Sequence, residues 1–231
     1  MVSKKAALRA ALPHTLPVLT GFIVLGAAYG ILMDSKGFSL LWILFTSTFV
    51  YAGSMQFVAV AMLSAGFHPL NGLLMTLMVN ARHLFYGISM LEKYRGVGCL
   101  KPYLIFSLTD ETFSLVCSTE PPKEVDRKWF LFFLSSLNQL YWICGSLLGG
   151  ILGSMIHFNT KGIDFVLTAL YVVIFLNQWR AAEKHLPAIL GIFTAILCRL
   201  VFGADHFIIP TMVFLLIALT LLKRPLEGRN S

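Results

Sequence analysis

The sequence predicts an all-α, polytopic integral membrane protein, and three observations carry that prediction. Of its 231 residues, 57% are hydrophobic and only 13% are charged, against about 25% charged in an ordinary soluble domain. The apolar residues gather in runs near the roughly 20 residues that cross about 30 Å of hydrocarbon. Most of the charges fall between those runs, in loops and tails. A soluble fold of this length could bury a core, but its surface would still need charge that these runs do not offer.

Eight segments are expected to span, at about 15 to 33, 39 to 64, 69 to 91, 101 to 118, 129 to 156, 163 to 179, 186 to 204 and 206 to 222. The first follows Lys4, Lys5 and Arg9 as a secretory signal would, but its apolar run lasts to Met33 and further spans follow. It therefore reads as an uncleaved first helix. Its Gly26 and Gly30 form a GxxxG pair, which Gly145 and Gly149 repeat in the fifth segment; close helix packing explains both. The second segment carries Tyr51-Ala52-Gly53-Ser54-Met55-Gln56, and the third carries Asn80-Ala81-Arg82-His83. The fourth is short, with Asp110 and Glu111 at its centre, so it either crosses or re-enters. Trp129 beside Lys128 and Trp179 beside Arg180 suit interfacial anchors of the fifth and sixth. Asn138, Gln139, Asn177 and Gln178 suit bonds between helices.

With eight spans and a cytoplasmic N-terminus, the inside segments hold Lys4, Lys5, Arg9, Lys123, Arg127, Lys128, Arg180, Lys184, Lys223, Arg224 and Arg229. The outside loops hold Lys36, Lys93, Arg95, Lys101 and Lys161, so the positive-inside bias favours this arrangement. If the fourth segment re-enters, seven spans remain and the bias is kept only with the N-terminus outside. The formal net charge of +7 is thus topological, with no basic stripe for nucleic acid. Cys99, Cys117, Cys144 and Cys198 form no CxxC pair, and the six histidines lack HExxH spacing. No disulfide, metal or cofactor is expected.

A faint repeat relates Lys36-Gly37-Phe38 to Lys161-Gly162-Ile163, and Ala81-Arg82-His83-Leu84-Phe85-Tyr86-Gly87 to Cys198-Arg199-Leu200-Val201-Phe202-Gly203. It divides a single transporter domain, residues 1–231, into halves at about 15–91 and 129–204, linked by a short acidic helix at 101–118. The halves are parallel if that linker spans and inverted if it re-enters.

Four charges stand inside predicted spans: Arg82, Asp110, Glu111 and Arg199. A charge at the bilayer centre costs about 2.5–3.5 kcal/mol on insertion scales, so each is a candidate functional residue. Two positive and two negative charges suggest pairing, with Arg82 meeting one acid and Arg199 another. Neighbours on a helix point about 100° apart, so Asp110 and Glu111 cannot share one partner, and one is left to titrate. A purely structural ion network is the alternative. The candidate substrate site comprises Gly53, Ser54, Gln56, Asn80, Arg82, His83, Asp110 and Glu111, with Asp110 and Glu111 the proton-coupling candidates. Taken singly, Ser54 and Gln56 would be packing residues, and His83 a satisfied imidazole.

Tyr51-Ala52-Gly53-Ser54-Met55-Gln56-Phe57, Asn80-Ala81-Arg82-His83-Leu84-Phe85-Tyr86-Gly87 and Leu108-Thr109-Asp110-Glu111-Thr112-Phe113 together resemble the AzlC family, large subunits of branched-chain amino acid exporters. Asn138-Gln139-Leu140-Tyr141-Trp142, Gly145-Ser146 and Gly162-Ile163-Asp164-Phe165 extend the resemblance. It implies a bacterial inner-membrane transporter that acts with a small, separately encoded AzlD-type membrane subunit. On those motifs, Arg82, Asn80 and the backbone near Gly53 would receive a substrate carboxylate. Asp110 or Glu111 would meet the ammonium group, and Phe57, Phe85 and Phe113 would form an apolar wall. Two other readings stay open: a permease or channel for another small polar solute, and a membrane-embedded enzyme, which neither a GxSxG signal nor a zinc-binding spacing supports.

Overall fold

The structure, a computed structural model, describes residues 4–66, 68–80, 82–155, 172, 175–176, 179–180, 185–203, 207, 210–211, 213–215, 217–218 and 221, with the side chains of Ala65, Asn71, Met78, Arg82, Leu84 and Phe85 outside that description. The described residues form helices and connecting turns, with no strand among them. The chain divides into two compact units, Met1–Leu167 and Thr168–Ser231.

The first unit is built on two rods, α1 (Lys4–Ser35) and α8 (Arg127–Met155). Both are long and apolar enough to cross a membrane. They lie side by side and run the same way: Lys4 Nζ sits 4.1 Å from the centre of the Trp129 ring, Phe22 meets Trp142 edge-on, and Asp34 borders Gly153. The two GxxxG pairs pack against each other. A Cβ on Gly26 would stand 2.9 Å from the Ser146 nitrogen, one on Gly145 2.7 Å from the Phe22 carbonyl, and one on Gly30 would collide with the Ser146 carbonyl. Glycine is therefore required where the backbones meet. The outward faces carry exposed Leu16, Val24, Leu148 and Leu152, as a lipid-facing surface should.

Between the rods the chain forms α2 (Leu40–Phe45), a five-residue π-helical turn (Thr46–Val50), α3 (Gly53–Ala65), α4 (Pro69–Val79), α5 (Arg82–Lys93), a 3₁₀ turn (Gly98–Leu100), α6 (Lys101–Phe106) and α7 (Asp110–Ser118). The segment expected to span at 39 to 64 is not one straight helix. It enters beside Gly150, against which Leu40 and Ile43 pack, and reaches Gln139, whose side chain bonds the Thr48 carbonyl. A continuous helix would carry Gln56 about 12 Å further towards the Lys4 end. Instead Gln56 bonds Trp142 and Phe57 packs on Tyr29, both back towards the Ser35 end. The cause lies in three residues: Tyr51 is left-handed, at φ 42° and ψ 48°, Ala52 is non-helical, and Gly53 has φ +26°.

The segment at 101 to 118 folds back in the same manner from the opposite end. Leu104 and Val116, one on each arm, share a core with Tyr94, Val97, Phe130, Leu131 and Leu134. Lys93 Nζ donates to the carbonyls of Val116 (2.7 Å) and Cys117 (3.1 Å) at the end of α7, and Arg127 donates to the Lys93 carbonyl. Both arms thus begin and end near the Lys4 end. α6 stops at Ser107, and α7 restarts behind a Thr109 cap, whose Oγ1 accepts from the Thr112 amide.

Among the described residues, α1 and α8 are the helices long and apolar enough to cross a membrane, and the segments at 39 to 64 and 101 to 118 each form a helical hairpin, the two entering from opposite ends. Of the two courses open to 101 to 118, this is re-entry. Lys93, Arg95 and Lys101, expected on the side opposite the N-terminus, lie at its end with Lys4, Lys5, Arg9, Lys123, Arg127 and Lys128, while Lys36 lies at the other. An apolar hairpin and an apolar span bury the same residues, so hydropathy does not tell them apart.

In the second unit, α9 (Leu186–Phe202, within the expected seventh segment) starts at His185, whose ring stacks on Trp179 at 4.2 Å. Most of the expected segments at 163 to 179 and 206 to 222, with Asn177 and Gln178, lie outside the described residues. So does much of the second proposed repeat half.

Candidate functional site

Two helix breaks come together in the first unit: Tyr51–Gly53, where α3 begins, and Ser107–Thr109, where α7 begins. Asn80 follows the end of α4, and α5 starts at Arg82. The Tyr51 and Phe106 rings, 6.4 Å apart, join the two hairpin tips. The Tyr51 hydroxyl points towards Thr109, Thr112 and Glu111 across the gap but is buried without completing a hydrogen bond. Tyr86 of α5 stacks on Phe113 of α7 at 4.4 Å. Since α5 and α7 both run from there to the Lys93 contact, the backbone of Arg82, one turn before Tyr86, sits level with the start of α7.

The structure brings most of the predicted residues to these breaks. Gly53 and buried Ser54 open α3. Gln56 is buried, with Oε1 accepting from the Ala52 amide (3.2 Å) and from Trp142 Nε1 (3.0 Å), while its Nε2 has no partner. Asn80 closes α4; its carbonyl lies 3.2 Å from His83 Nδ1, and its side-chain oxygen is buried without a partner. Asp110 and Glu111 occupy the first turn of α7 and are half-buried. Arg82 opens α5, and its side chain, like that of Phe85, lies outside the described residues.

Two further side chains have these surroundings. Phe57 does not line the gap: it is fully buried against Tyr29. The apolar surface beside the acids is Phe113 with Tyr86. Arg199 belongs to the second unit, where its guanidinium sits over Phe207 at 5.9 Å.

The two hairpin helices differ in electrostatic character where they start. A helix N-terminus carries partial positive charge from its unpaired amides. The start of α3 has no acidic residue in its first turn, whereas that of α7 has two. One tip is therefore electropositive and the other electronegative, a pairing suited to a zwitterion. Among the described residues, no group of three or more His, Cys, Asp or Glu side chains comes together to hold a metal ion.

Asn138 and Gln139 form bonds between helices, as expected, and the structure supplies their partners. Asn138 Nδ2 donates to Thr112 Oγ1 at 3.1 Å, and Gln139 bonds both hairpins. The missed signal for the α7 start was Thr109-Asp110-Glu111-Thr112, a helix-starting sequence in the middle of an apolar run.

A family profile described as AzlC protein matches residues 17–156. The chain is 51% identical over 222 residues to the branched-chain amino acid transport protein AzlC of Bacillus subtilis, covering 96% of this chain and 87% of that protein. It is 40% identical to an uncharacterized membrane protein of Haemophilus influenzae, covering 96% and 92%. To the inner membrane protein YgaZ of Escherichia coli it is 26% identical, covering 86% and 82%. No solved structure matches the chain.

Proposed function

The chain belongs to the AzlC family, and from that membership we propose that it exports branched-chain amino acids across a bacterial inner membrane, coupled to protons and together with a small AzlD-type membrane subunit. The observation that carries a transport site is the meeting of two oppositely charged hairpin tips at mid-depth. Broken helices at the bilayer midplane are tolerated where they line a cavity or a substrate path. The carboxylate of an amino acid is received at the α3 start, by the Gly53 backbone, Ser54, the spare Gln56 amide donor and Asn80 with Arg82. Its ammonium group is received at Asp110 and Glu111 in the first turn of α7. His83 orders the break through Asn80, and Phe113 with Tyr86 faces the branched side chain. Proton coupling is assigned to whichever of Asp110 and Glu111 is not engaged by the ammonium.

The placement of nine basic residues (4, 5, 9, 93, 95, 101, 123, 127 and 128) at one end of the first unit and Lys36 at the other supports a cytoplasmic N-terminus. The two hairpins then reach the site from opposite sides of the membrane, so each can gate it towards one side.

The test is counterflow of labelled leucine, isoleucine and valine in proteoliposomes holding the chain with its small partner, with and without a proton gradient. Saturable counterflow, accelerated by the gradient, is expected; flux without counterflow or saturation would make the protein a channel. Arg82→Gln in folded protein is expected to lower transport at least tenfold, and Arg82→Lys to restore only part of it, because lysine lacks the planar two-point grip on a carboxylate. Unchanged transport in Arg82→Gln would remove Arg82 from the site.

A further inference from the structure

Four hairpin arms reach one short stretch of α8. Asn138 holds α7 through Thr112, and Trp142 holds α3 through Gln56. Gln139, between them, does two things: its Oε1 accepts from the Tyr103 hydroxyl of α6 at 2.7 Å, and its Nε2 donates to the Thr48 carbonyl in the π-helical turn at 3.0 Å. One side chain thus bonds both hairpins, close to the tip of each. α8 itself is locked to α1 by glycine contacts, so it forms a fixed post.

We propose that Gln139 is the positioning residue that links the two hairpins, so that the displacement of either is transmitted to the other. The primary amide is planar, with its acceptor and donor fixed relative to each other. Turning it to follow Tyr103 in one hairpin pulls Nε2 off the Thr48 carbonyl of the other. A stretch of π-helix supplies the give on that side, since its backbone bonds are already irregular. In the transport reading on which this rests, hairpins that opened independently would expose the path from both ends at once and leak. A shared amide at the tips opposes that state.

The test uses the purified chain and reads hairpin opening by amide hydrogen exchange, with no substrate. Tyr103→Phe deletes one hydroxyl from α6, whose hydrogen bond goes to Gln139 and not to the other hairpin. Loss of one hydrogen bond should raise exchange about three- to tenfold. Linkage requires that increase at residues 53–56, in the hairpin that was not altered, as well as at 107–111. Gln139→Met, of similar length without either bond, should raise both by at least as much. Adding Tyr103→Phe to Gln139→Met should then change neither further, because the hydroxyl has lost its partner.

Exchange confined to 101–111 in Tyr103→Phe, or increases that multiply in the double variant, would overturn the linkage. Because this readout needs no substrate, its failure is separable from failure of the transport reading, which wild-type counterflow decides. Where counterflow is seen, Gln139→Met should lower turnover per folded molecule about tenfold with KM within about twofold; a merely structural residue would lower only the yield of folded protein.

Discussion

Tyr94, one residue beyond α5, has a buried hydroxyl with no hydrogen-bond partner. Burial pushes its phenol well above the usual tyrosine range, with the Cys117 thiol adding to the effect. The neutral form is therefore favoured by folding. Stability from this group is complete below the unfolded pKa of about 10 and falls by about 1.4 kcal/mol per pH unit above it. Tyr94→Phe should leave thermal stability at pH 8 unchanged or higher, since it removes an unsatisfied hydroxyl. Between pH 10 and 11 it should lose less stability than the parent. A parallel decline of the two proteins in thermal unfolding would contradict this. At the same scale, sequence reading reached the candidate residues whose chemistry is unusual for lipid, such as Asp110, Glu111 and Asn80. It reached Gln139 as a bond between helices but not its partners, which lie 36 and 91 positions away and leave no local pattern.

The α1–α8 pair was legible as two apolar stretches with glycine pairs, but only coordinates show that the pairs pack against each other. The contact separates glycines that look alike in sequence. A Cβ at Gly30 would strike the Ser146 carbonyl, whereas one at Gly21, in the same helix, meets nothing within 4 Å. Gly30→Ala should therefore destabilise by about 1–3 kcal/mol through forced separation of the rods. Gly21→Ala should be neutral, or stabilising by about 0.5–1 kcal/mol, because alanine is the better helix former. Unfolding in detergent measures both; equal effects would mean that the rods do not meet at these glycines. The first hairpin was illegible for a related reason, whereas re-entry was one of the two courses open to 101 to 118. Hydropathy reports burial from water and not direction, and the turn at Tyr51 is made by a left-handed non-glycine residue, a conformation costing about 1–3 kcal/mol that no propensity scale would place in an apolar run.

For the whole molecule, the decisive question is on which side of the membrane each connection lies. Ser39 and His68 flank the first hairpin, and Cys99 and Glu124 flank the second; all four are exposed. If both segments cross as straight helices, Ser39 and His68 lie on opposite sides, and so do Cys99 and Glu124. With two re-entrant hairpins, each pair shares a side, and the pairs face opposite sides. Cys99 is a native reporter, exposed and free. With the other three cysteines replaced, Cys99 and Glu124→Cys should react with a membrane-impermeant maleimide only from the cytoplasmic face. Ser39→Cys and His68→Cys, each in a background lacking all four native cysteines, should react only from the outside. Labelling of Ser39→Cys and His68→Cys from opposite faces would restore the straight crossing and separate the tips of α3 and α7. Reaction of Cys99 from outside would instead invert the molecule while leaving the hairpins intact. The expected pattern follows from charge as well as contact, because hairpins gather Lys93, Arg95 and Lys101 with Lys4, Lys5 and Arg9, and a positive end held inside is what the insertion bias selects.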